Sequence, residues 1–166
     1  MHRVGIALGS NLGNRTGHLQ AARDLLLEIS ESPLLQAAIY RTEPVSCPEN
    51  SPDFYNSVVE ITFSGSPFEL LKLTQTIEKN LGRASQAIRN APRVIDVDLL
   101  YFGDQVVESG PLVLPHPRLA QRRFVLQPLA EIRPELVLPG QQVSVSDLLR
   151  SLVSEEPLLE KVTPNW

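Results

Sequence analysis

The sequence predicts an α+β domain in which helices pack against an antiparallel sheet. Short runs rich in Val, Ile and Leu alternate with two stretches whose apolar residues keep helical spacing. Their order along the chain is strand, helix, strand, strand, helix, strand, with clusters of Gly, Pro, Ser and Asn between them. This βαββαβ order is the split βαβ, or ferredoxin-like, arrangement, which implies an antiparallel sheet with helices on one face.

The first strand and first helix come from the N-terminal part of the chain. Residues 3–9, RVGIALG, alternate and are rich in strand-forming residues. A Gly/Asn/Ser turn follows, and residues 16–29 then predict a helix. The apolar positions with helical spacing are Leu19, Ala22, Leu26 and Ile29.

The middle of the chain predicts two strands and the second helix. Residues 34–45 and 57–65 are the two strands. Ser66 is a residue type preferred at helix N-caps, and Glu69 follows three residues later, as in a capping box. Gly82 marks the end of this helix.

The fourth strand is residues 93–103, RVIDVDLLYFG. The segments 46–56 and 83–92 are longer than most connections, which favours functional loops. The tail is punctuated by prolines and has a short helix at 144–153, so it predicts a short C-terminal extension. No repeat or linker divides the chain, and we expect one domain over residues 1–166.

Composition and charge predict a cytoplasmic protein. Apolar residues are 42% and charged residues 20% of the chain, which is ordinary for a globular domain. A formal net charge of −4 argues against general binding of nucleic acid or membrane surfaces. One cysteine, Cys47, allows no intrachain disulfide, and no apolar run approaches the roughly 20 residues that span a bilayer. No exposed heptad pattern is present, so we expect a monomer.

Two carboxylates interrupt the fourth strand. Asp96 and Asp98 share one face because strand side chains alternate. They lie about 7 Å apart, where two negative charges repel unless a cation lies between them. Two Mg²⁺ ions at this pair would clamp a nucleotide triphosphate. The alternative is an edge strand with a polar face turned to solvent.

Basic residues are concentrated near this strand. Six of the twelve arginines fall between residues 83 and 123: Arg83, Arg89, Arg93, Arg118, Arg122 and Arg123. In an acidic protein this cluster suggests a small anionic ligand. Arg93 precedes the carboxylates, Arg83 opens the preceding loop, and Glu78 offers a third carboxylate from the second helix. Acids and guanidinium groups together are what a Mg·ATP site requires.

Three further segments carry candidate ligand contacts. His116, between two prolines, is either a turn residue satisfied by the backbone or, with the arginines that follow, a phosphate contact or proton donor. Those arginines are alternatively a solvated helix face. Phe54 and Asn56 can stack on a planar ring and read its edge, whereas Tyr55 is expected to enter the core. Residues 9–14, GSNLGN, lack a phosphate-loop pattern and predict a structural turn, with a weak nucleotide-binding option.

RNAPRVIDVDLL, residues 89–100, resembles the signature of the 6-hydroxymethyl-7,8-dihydropterin pyrophosphokinase family of folate biosynthesis. IALGSNLGN, YRTEPV, PDFYN, IEKNLGR and LPHPRLAQRRFVLQPLAEI follow the order and spacing of that family, so the resemblance covers most of the chain. It implies a ferredoxin-like fold and an ATP-dependent diphosphotransferase. The implied reaction moves the diphosphate of ATP to the hydroxymethyl group of the dihydropterin and leaves AMP.

The resemblance also implies a role for individual residues. Asp96 and Asp98 are similar to the ligands of two Mg²⁺ ions, with ATP as co-substrate. Arg83 and Arg93 match catalytic arginines that engage phosphates. The implied ATP contacts are Gln75, Glu78, Arg93, Leu99, His116 and Arg122. The implied pterin contacts are Thr42, Glu43, Pro44, Val45, Phe54, Asn56, Asp96 and Phe124.

The loop at 83–92 departs from the family pattern. Ser85 and Asn90 stand where well-known members carry an arginine and a tryptophan. We hypothesise that Arg89 or Arg118 compensates.

Two other functions use the same residues. A ferredoxin-like nucleotide-binding module without chemistry would be indifferent to magnesium and to the loss of Asp96. A metal-dependent hydrolase or nucleotidyltransferase would release ADP or pyrophosphate instead of AMP.

Overall fold

The computed structural model describes residues 1–43, 52–82, 94–152 and 159–166. The strands in these ranges are β1 (His2–Ser10), β2 (Leu35–Gln36), β3 (Ile39–Thr42), β4 (Phe54–Phe63), β5 (Asp96–Phe102), β6 (Val107–Ser109), β7 (Leu112–Leu114) and β8 (Glu160–Thr163). The α-helices in these ranges are α1 (Arg15–Ile29), α2 (Pro67–Asn80), α3 (Arg123–Ile132) and α4 (Val145–Ser151). Among these described helices, none combines the length and apolar character needed to cross a membrane.

The main sheet has the strand order β5-β1-β4-β3-β8, and β2 also pairs with β4. Every pairing in it is antiparallel. β6 and β7 form a separate hairpin. Strands β1, β3, β4 and β5 with helices α1 and α2 give the predicted βαββαβ order, and β1 lies between β5 and β4 as a ferredoxin-like sheet requires.

Helices cover both faces of this sheet. α1 and α2 pack on one face, over a core that includes Ile6, Leu8 and Val59. α3 and α4 pack on the other face, over a core that includes Val58 and Leu126. The prediction of helices on one face is therefore right for α1 and α2 and wrong for the C-terminal part, where α3 buries its apolar residues against the second face.

The predicted second strand is broken into β2 and β3 at Ala37 and Ala38. Side chains bond to the backbone here. The N–H of Ala38 donates to the Glu131 carboxylate, 3.0 Å from Oε2, and the carbonyl of Ala37 accepts from Trp166 Nε1 at 2.8 Å. Because both partners are far away in sequence, the local pattern predicts a continuous strand.

The other strands differ from prediction mainly at their ends. β4 begins at Phe54, three residues earlier than expected, so the PDFYN segment enters the sheet and does not belong wholly to the loop. β8 and the β6–β7 hairpin were not predicted. Each of these strands has only three or four residues, and those of β8 lack a buried alternate face.

A buried ionic network joins three strands to the end of α3. Glu60 on β4 is 4% exposed and accepts from the Tyr101 hydroxyl and from Arg133 Nη1, both at 2.5 Å. Arg3 on β1 donates to its other oxygen at 3.3 Å. Gly5 lies between Glu60 and Tyr101 in the register, and a Cβ there would lie 2.2 Å from Tyr101 Cε1. The absent side chain of Gly5 therefore lets the Tyr101 ring cross β1.

Candidate active site

A row of residues crosses the sheet near the C-terminal end of β1. The strand register pairs Asp96 with Gly9, Gly9 with Asn56, and Asn56 with Tyr40. Directly opposed residues in antiparallel strands project from the same face. Since neighbouring strands are about 4.8 Å apart, Asp96 and Asn56 are separated by roughly 10 Å across β1.

The two carboxylates stand at one end of this row. Asp96 is half-buried and Asp98 is exposed, and Asp98 pairs with Ala7 on the same face. Val97 and Leu99 point to the opposite face, where each is 5% exposed. The predicted alternation is confirmed. β5 is an edge strand and its Asp98 is exposed, both as the alternative interpretation supposed. The polar face is on the same side of the sheet as α3.

Glu78 bonds to the outer edge of β5. Its Oε2 accepts the backbone N–H of Val97 at 2.9 Å, between the two aspartates in sequence. Within the described residues no further strand pairs with this side of β5, so the carboxylate satisfies a backbone donor at the sheet edge. The sequence indicates a third acidic group near the pair but gives no sign of this contact with the backbone.

His116 lies after β7, beside β5. The backbone N–H of His116 donates to the Leu100 carbonyl at 2.7 Å. The ring nitrogen Nδ1 accepts the backbone N–H of Arg118 at 3.1 Å. A neutral imidazole has one donor and one acceptor nitrogen, so this hydrogen bond assigns the proton to Nε2. His116 is thus held by the backbone, as its turn sequence suggests, and Nε2 is the nitrogen that can donate to a ligand.

Electrostatic effects connect His116 with Asp98 and Arg122. Burial lowers the pKa of His116; Asp98 opposes this effect, and Arg122 and Arg118 add to it. Burial also lowers the pKa of the Arg122 guanidinium. Arg118 lowers this pKa further, whereas Asp98 raises it. Asp98, His116, Arg118 and Arg122 therefore interact electrostatically.

We expect His116 to titrate below the ordinary histidine pKa of about 6.5. Asp98→Asn should lower the pKa further, because the carboxylate stabilises the imidazolium, and Arg122→Ala should raise it. NMR titration of the imidazole signals measures this, with His116→Gln identifying the signal.

The same shift has a consequence for stability. Because the unfolded chain takes up this proton first, the contribution of His116 to stability is full above about pH 6.5 and decreases as the pH falls below it. An imidazole pKa above 6.5, a rise of that pKa in Asp98→Asn, or a fall in Arg122→Ala would contradict the arrangement.

Arg122 and Phe124 meet at the start of α3. Arg122 is half-buried at the N-cap position, and its guanidinium carbon lies 5.4 Å from the centroid of the Phe124 ring. Phe124, also half-buried, packs beside the core of the α3 face. The pair places a cation and an aromatic ring next to each other on the side of the sheet that carries the aspartates.

Asn56 forms the other end of the row. It is 7% exposed, and its Nδ2 donates to Thr42 Oγ1 at 2.8 Å. A Cβ on Gly9 would lie 2.9 Å from Asn56 Oδ1 and 3.8 Å from Phe54 Cδ1. The amide oxygen therefore lies close to Gly9, where there is room for it because Gly9 lacks a side chain. The sequence does not single out Gly9, because its place between Asp96 and Asn56 depends on the strand register.

Other predicted site residues lie on the opposite face of the sheet, at the end of a described range, or outside the described residues. Gln75 is exposed on α2, which packs on the face opposite to the aspartates. The Leu99 side chain is buried in that opposite core, so a nucleotide contact of Leu99 would use its backbone. Glu43 is exposed at the end of a described range. The residues outside the described ranges are Pro44, Val45, Cys47, Arg83, Ser85, Arg89, Asn90 and Arg93.

Comparisons with known proteins agree with this fold. A family model described as 7,8-dihydro-6-hydroxymethylpterin-pyrophosphokinase (HPPK) matches residues 5–134. The 2-amino-4-hydroxy-6-hydroxymethyldihydropteridine pyrophosphokinase of Bacillus subtilis (strain 168) is 46% identical over 128 residues, 76% of this chain and 75% of the relative. The Haemophilus influenzae protein of the same name is 34% identical over 152 residues, 91% of this chain and 93% of the relative.

Solved structures show the same fold. The wild-type HPPK-DHPS of Plasmodium falciparum superposes with a TM-score of 0.68 at 14% identity, over 90% of this chain and 44% of that one. Together, the fold and the matches define an ATP-dependent diphosphokinase. The chain belongs to the 7,8-dihydro-6-hydroxymethylpterin-pyrophosphokinase family, and the relatives that it matches include the folate synthesis bifunctional protein of Arabidopsis thaliana.

Proposed function

We propose that this protein transfers the β,γ-diphosphate of ATP to the hydroxymethyl group of 6-hydroxymethyl-7,8-dihydropterin, giving AMP and the dihydropterin diphosphate. The observation that supports this most directly is the single face shared by Asp96 and Asp98, with Asn56 at the other end of the row. One end has the charges that a triphosphate requires, and the other has an amide for a planar heterocycle. Residues 1–166 would form one such domain.

The carboxylates suit magnesium. In the part of the chain that the structure describes, no three His, Cys, Asp or Glu side chains are grouped as a metal site. Two carboxylates on a rigid strand match Mg²⁺, which takes one or two carboxylates and completes its shell with water and phosphate oxygens. Asp96 and Asp98 would hold two ions, and the chemistry these supply is neutralisation of phosphate charge.

His116 and the arginines would bind the nucleotide. Arg122 offers a planar fork to phosphate oxygens. His116 donates from Nε2 while remaining neutral, because burial lowers its pKa. Arg83 and Arg93 would stabilise charge on the transferred group. Gln75, exposed on the helix that packs beside β5, and the Leu99 backbone would complete the ATP contacts. Glu78 would support them through its hydrogen bond to Val97 on β5.

The pterin would bind at the Asn56 end of the row. Because Asn56 Nδ2 donates to Thr42, its Oδ1 is the acceptor for the N–H groups on the pterin edge. Phe124 and Phe54 would stack on the ring. Thr42, Glu43, Pro44 and Val45 would line the pocket. With the two substrates held on one rigid face, the protein contributes orientation and electrostatics and forms no covalent bond.

The decisive experiment is product identification. The protein is incubated with ATP, Mg²⁺ and 6-hydroxymethyl-7,8-dihydropterin, and the nucleotide product is separated with and without the pterin. We expect AMP that requires the pterin and disappears with a chelator. ADP or pyrophosphate would favour a hydrolase or nucleotidyltransferase. Binding of ATP without turnover would favour the non-catalytic module.

A further inference from the structure

Arg15 contacts β4 from the α1 side of the sheet, opposite to the face that carries Phe54 and Asn56. Tyr55 alternates with Phe54 and Asn56, so it faces α1 while they face the opposite side of the sheet. Arg15, the first residue of α1, has its guanidinium carbon 4.0 Å from the centroid of the Tyr55 ring. The same guanidinium donates from Nη1 to the carbonyl of Asp53 at 2.8 Å.

The turn between β1 and α1 also bonds to the backbone carbonyl of the residue that precedes Asp53. Asn11 is fully buried, and its Nδ2 donates to the carbonyl of Pro52 at 3.5 Å. Asn14 caps α1 by accepting the N–H of Gly17 at 3.0 Å, which fixes the helix start from which Arg15 projects. The GSNLGNR segment therefore attaches to two successive residues at the entrance of β4.

This attachment lies close to the pterin end of the row. A strand rises about 3.3 Å per residue, so the Asp53 carbonyl is roughly 10 Å from Asn56 along β4. The clearance beside Asn56 is small, since an added carbon at Gly9 would lie 2.9 Å from its Oδ1. Displacement of the strand entrance by a fraction of an ångström is enough to change that clearance.

We propose that Arg15 is a positioning residue for the pterin. It contacts neither substrate and acts through β4, by fixing the placement of Phe54 and Asn56. Arginine suits this role because its planar guanidinium can stack on Tyr55 and donate to a carbonyl together, whereas a lysine ammonium does not stack in this way. The inference rests on the proposed function, because it takes Phe54 and Asn56 as pterin contacts.

The expected result is selective. In Arg15→Ala the KM for the pterin should rise about tenfold, through loss of a charged hydrogen bond and a cation–π contact. The kcat and the KM for ATP should stay within about twofold of the wild type, because a binding contribution common to ground and transition states is lost. Arg15→Lys should remain impaired, and Tyr55→Leu should also raise the pterin KM.

Arg23→Ala is the matched control. Arg23 lies on the same helix, stacks on an aromatic ring (Trp166, 5.1 Å) and donates to a backbone carbonyl, that of Trp166, but at the C-terminal end of the described chain. We expect Arg23→Ala to lower the midpoint of thermal unfolding without changing the pterin KM. Both variants are assayed for kinetics, for thermal unfolding, and for affinity for 6-hydroxymethylpterin in the presence of Mg²⁺ and a non-hydrolysable ATP analogue.

Each outcome decides between the possibilities. An unchanged pterin KM and affinity in Arg15→Ala would overturn the inference. Equal increases in both KM values, or a pterin effect of the same size in Arg23→Ala, would reduce Arg15 to a stabilising residue and also overturn it. If the wild type forms no pterin-dependent AMP, the proposed function fails, and the inference fails with it.

Discussion

Asp96→Asn and Asp98→Asn are each expected to lower pterin-dependent formation of AMP by about a thousandfold. Each change keeps the size of the side chain and removes one negative charge from the face that would hold magnesium. Loss of a ligand weakens metal binding and removes charge stabilisation when it is most needed, as the diphosphate is transferred. The measurement is kcat/KM from steady-state AMP formation, repeated over a range of Mg²⁺ concentrations.

Asp104→Asn is the matched control for these variants. Asp104 is exposed in the turn directly after β5, so its charge is lost close to the same strand but away from the site. We expect its kcat/KM to equal that of the wild type. If the Asp96 and Asp98 variants retained wild-type activity at low Mg²⁺, the carboxylates would be a polar edge and the metal assignment would be wrong.

Glu60→Ala is expected to lower the free energy of unfolding by about 3–5 kcal/mol. The substitution removes the acceptor for Tyr101 and for Arg133, whose side chain is only 24% exposed, and so leaves a buried charge without a counter-ion. It also leaves a cavity where a nearly inaccessible carboxylate stood. Chemical denaturation, followed by circular dichroism, measures the change.

Glu60→Gln separates charge from packing. It fills the same space and can still accept from the Tyr101 hydroxyl, so we expect a smaller loss than for alanine. Glu108→Ala, an exposed change on β6, should alter the free energy of unfolding by less than about 0.5 kcal/mol. A loss below about 1 kcal/mol in Glu60→Ala would show that Arg133 finds another partner or water, and that the network contributes little.

Features that depend on local sequence could be predicted. The N-cap of α2 forms as expected, since Ser66 Oγ accepts the N–H of Glu69 at 3.1 Å. The alternation of Asp96 and Asp98 with buried Val97 also follows from the strand period. These predictions hold because each of them depends on residues that are neighbours along the chain.

Features that depend on distant contacts could not be predicted. The gap between β2 and β3 exists because Glu131 and Trp166 bond to its backbone. Glu78 and Asp98 could be selected from the sequence, but only the structure shows that Glu78 bonds to the Val97 N–H while Asp98 influences His116. The location of α3 over the second face likewise depends on tertiary packing, because an amphipathic helix does not specify which face it covers.

The way in which the sheet ends has a consequence for solubility during and after folding. Open sheet margins are templates for pairing with other chains and thus for aggregation. On one margin, the Glu78 carboxylate occupies the Val97 N–H. On the other, the outer strand is β8, whose Glu160 and Lys161 are exposed and whose Glu160 forms an ion pair with Arg41 on β3 at 2.5 Å. Strand-to-strand association of two copies would break these contacts or desolvate charges, so the sheet protects itself against fibril-like growth at both margins.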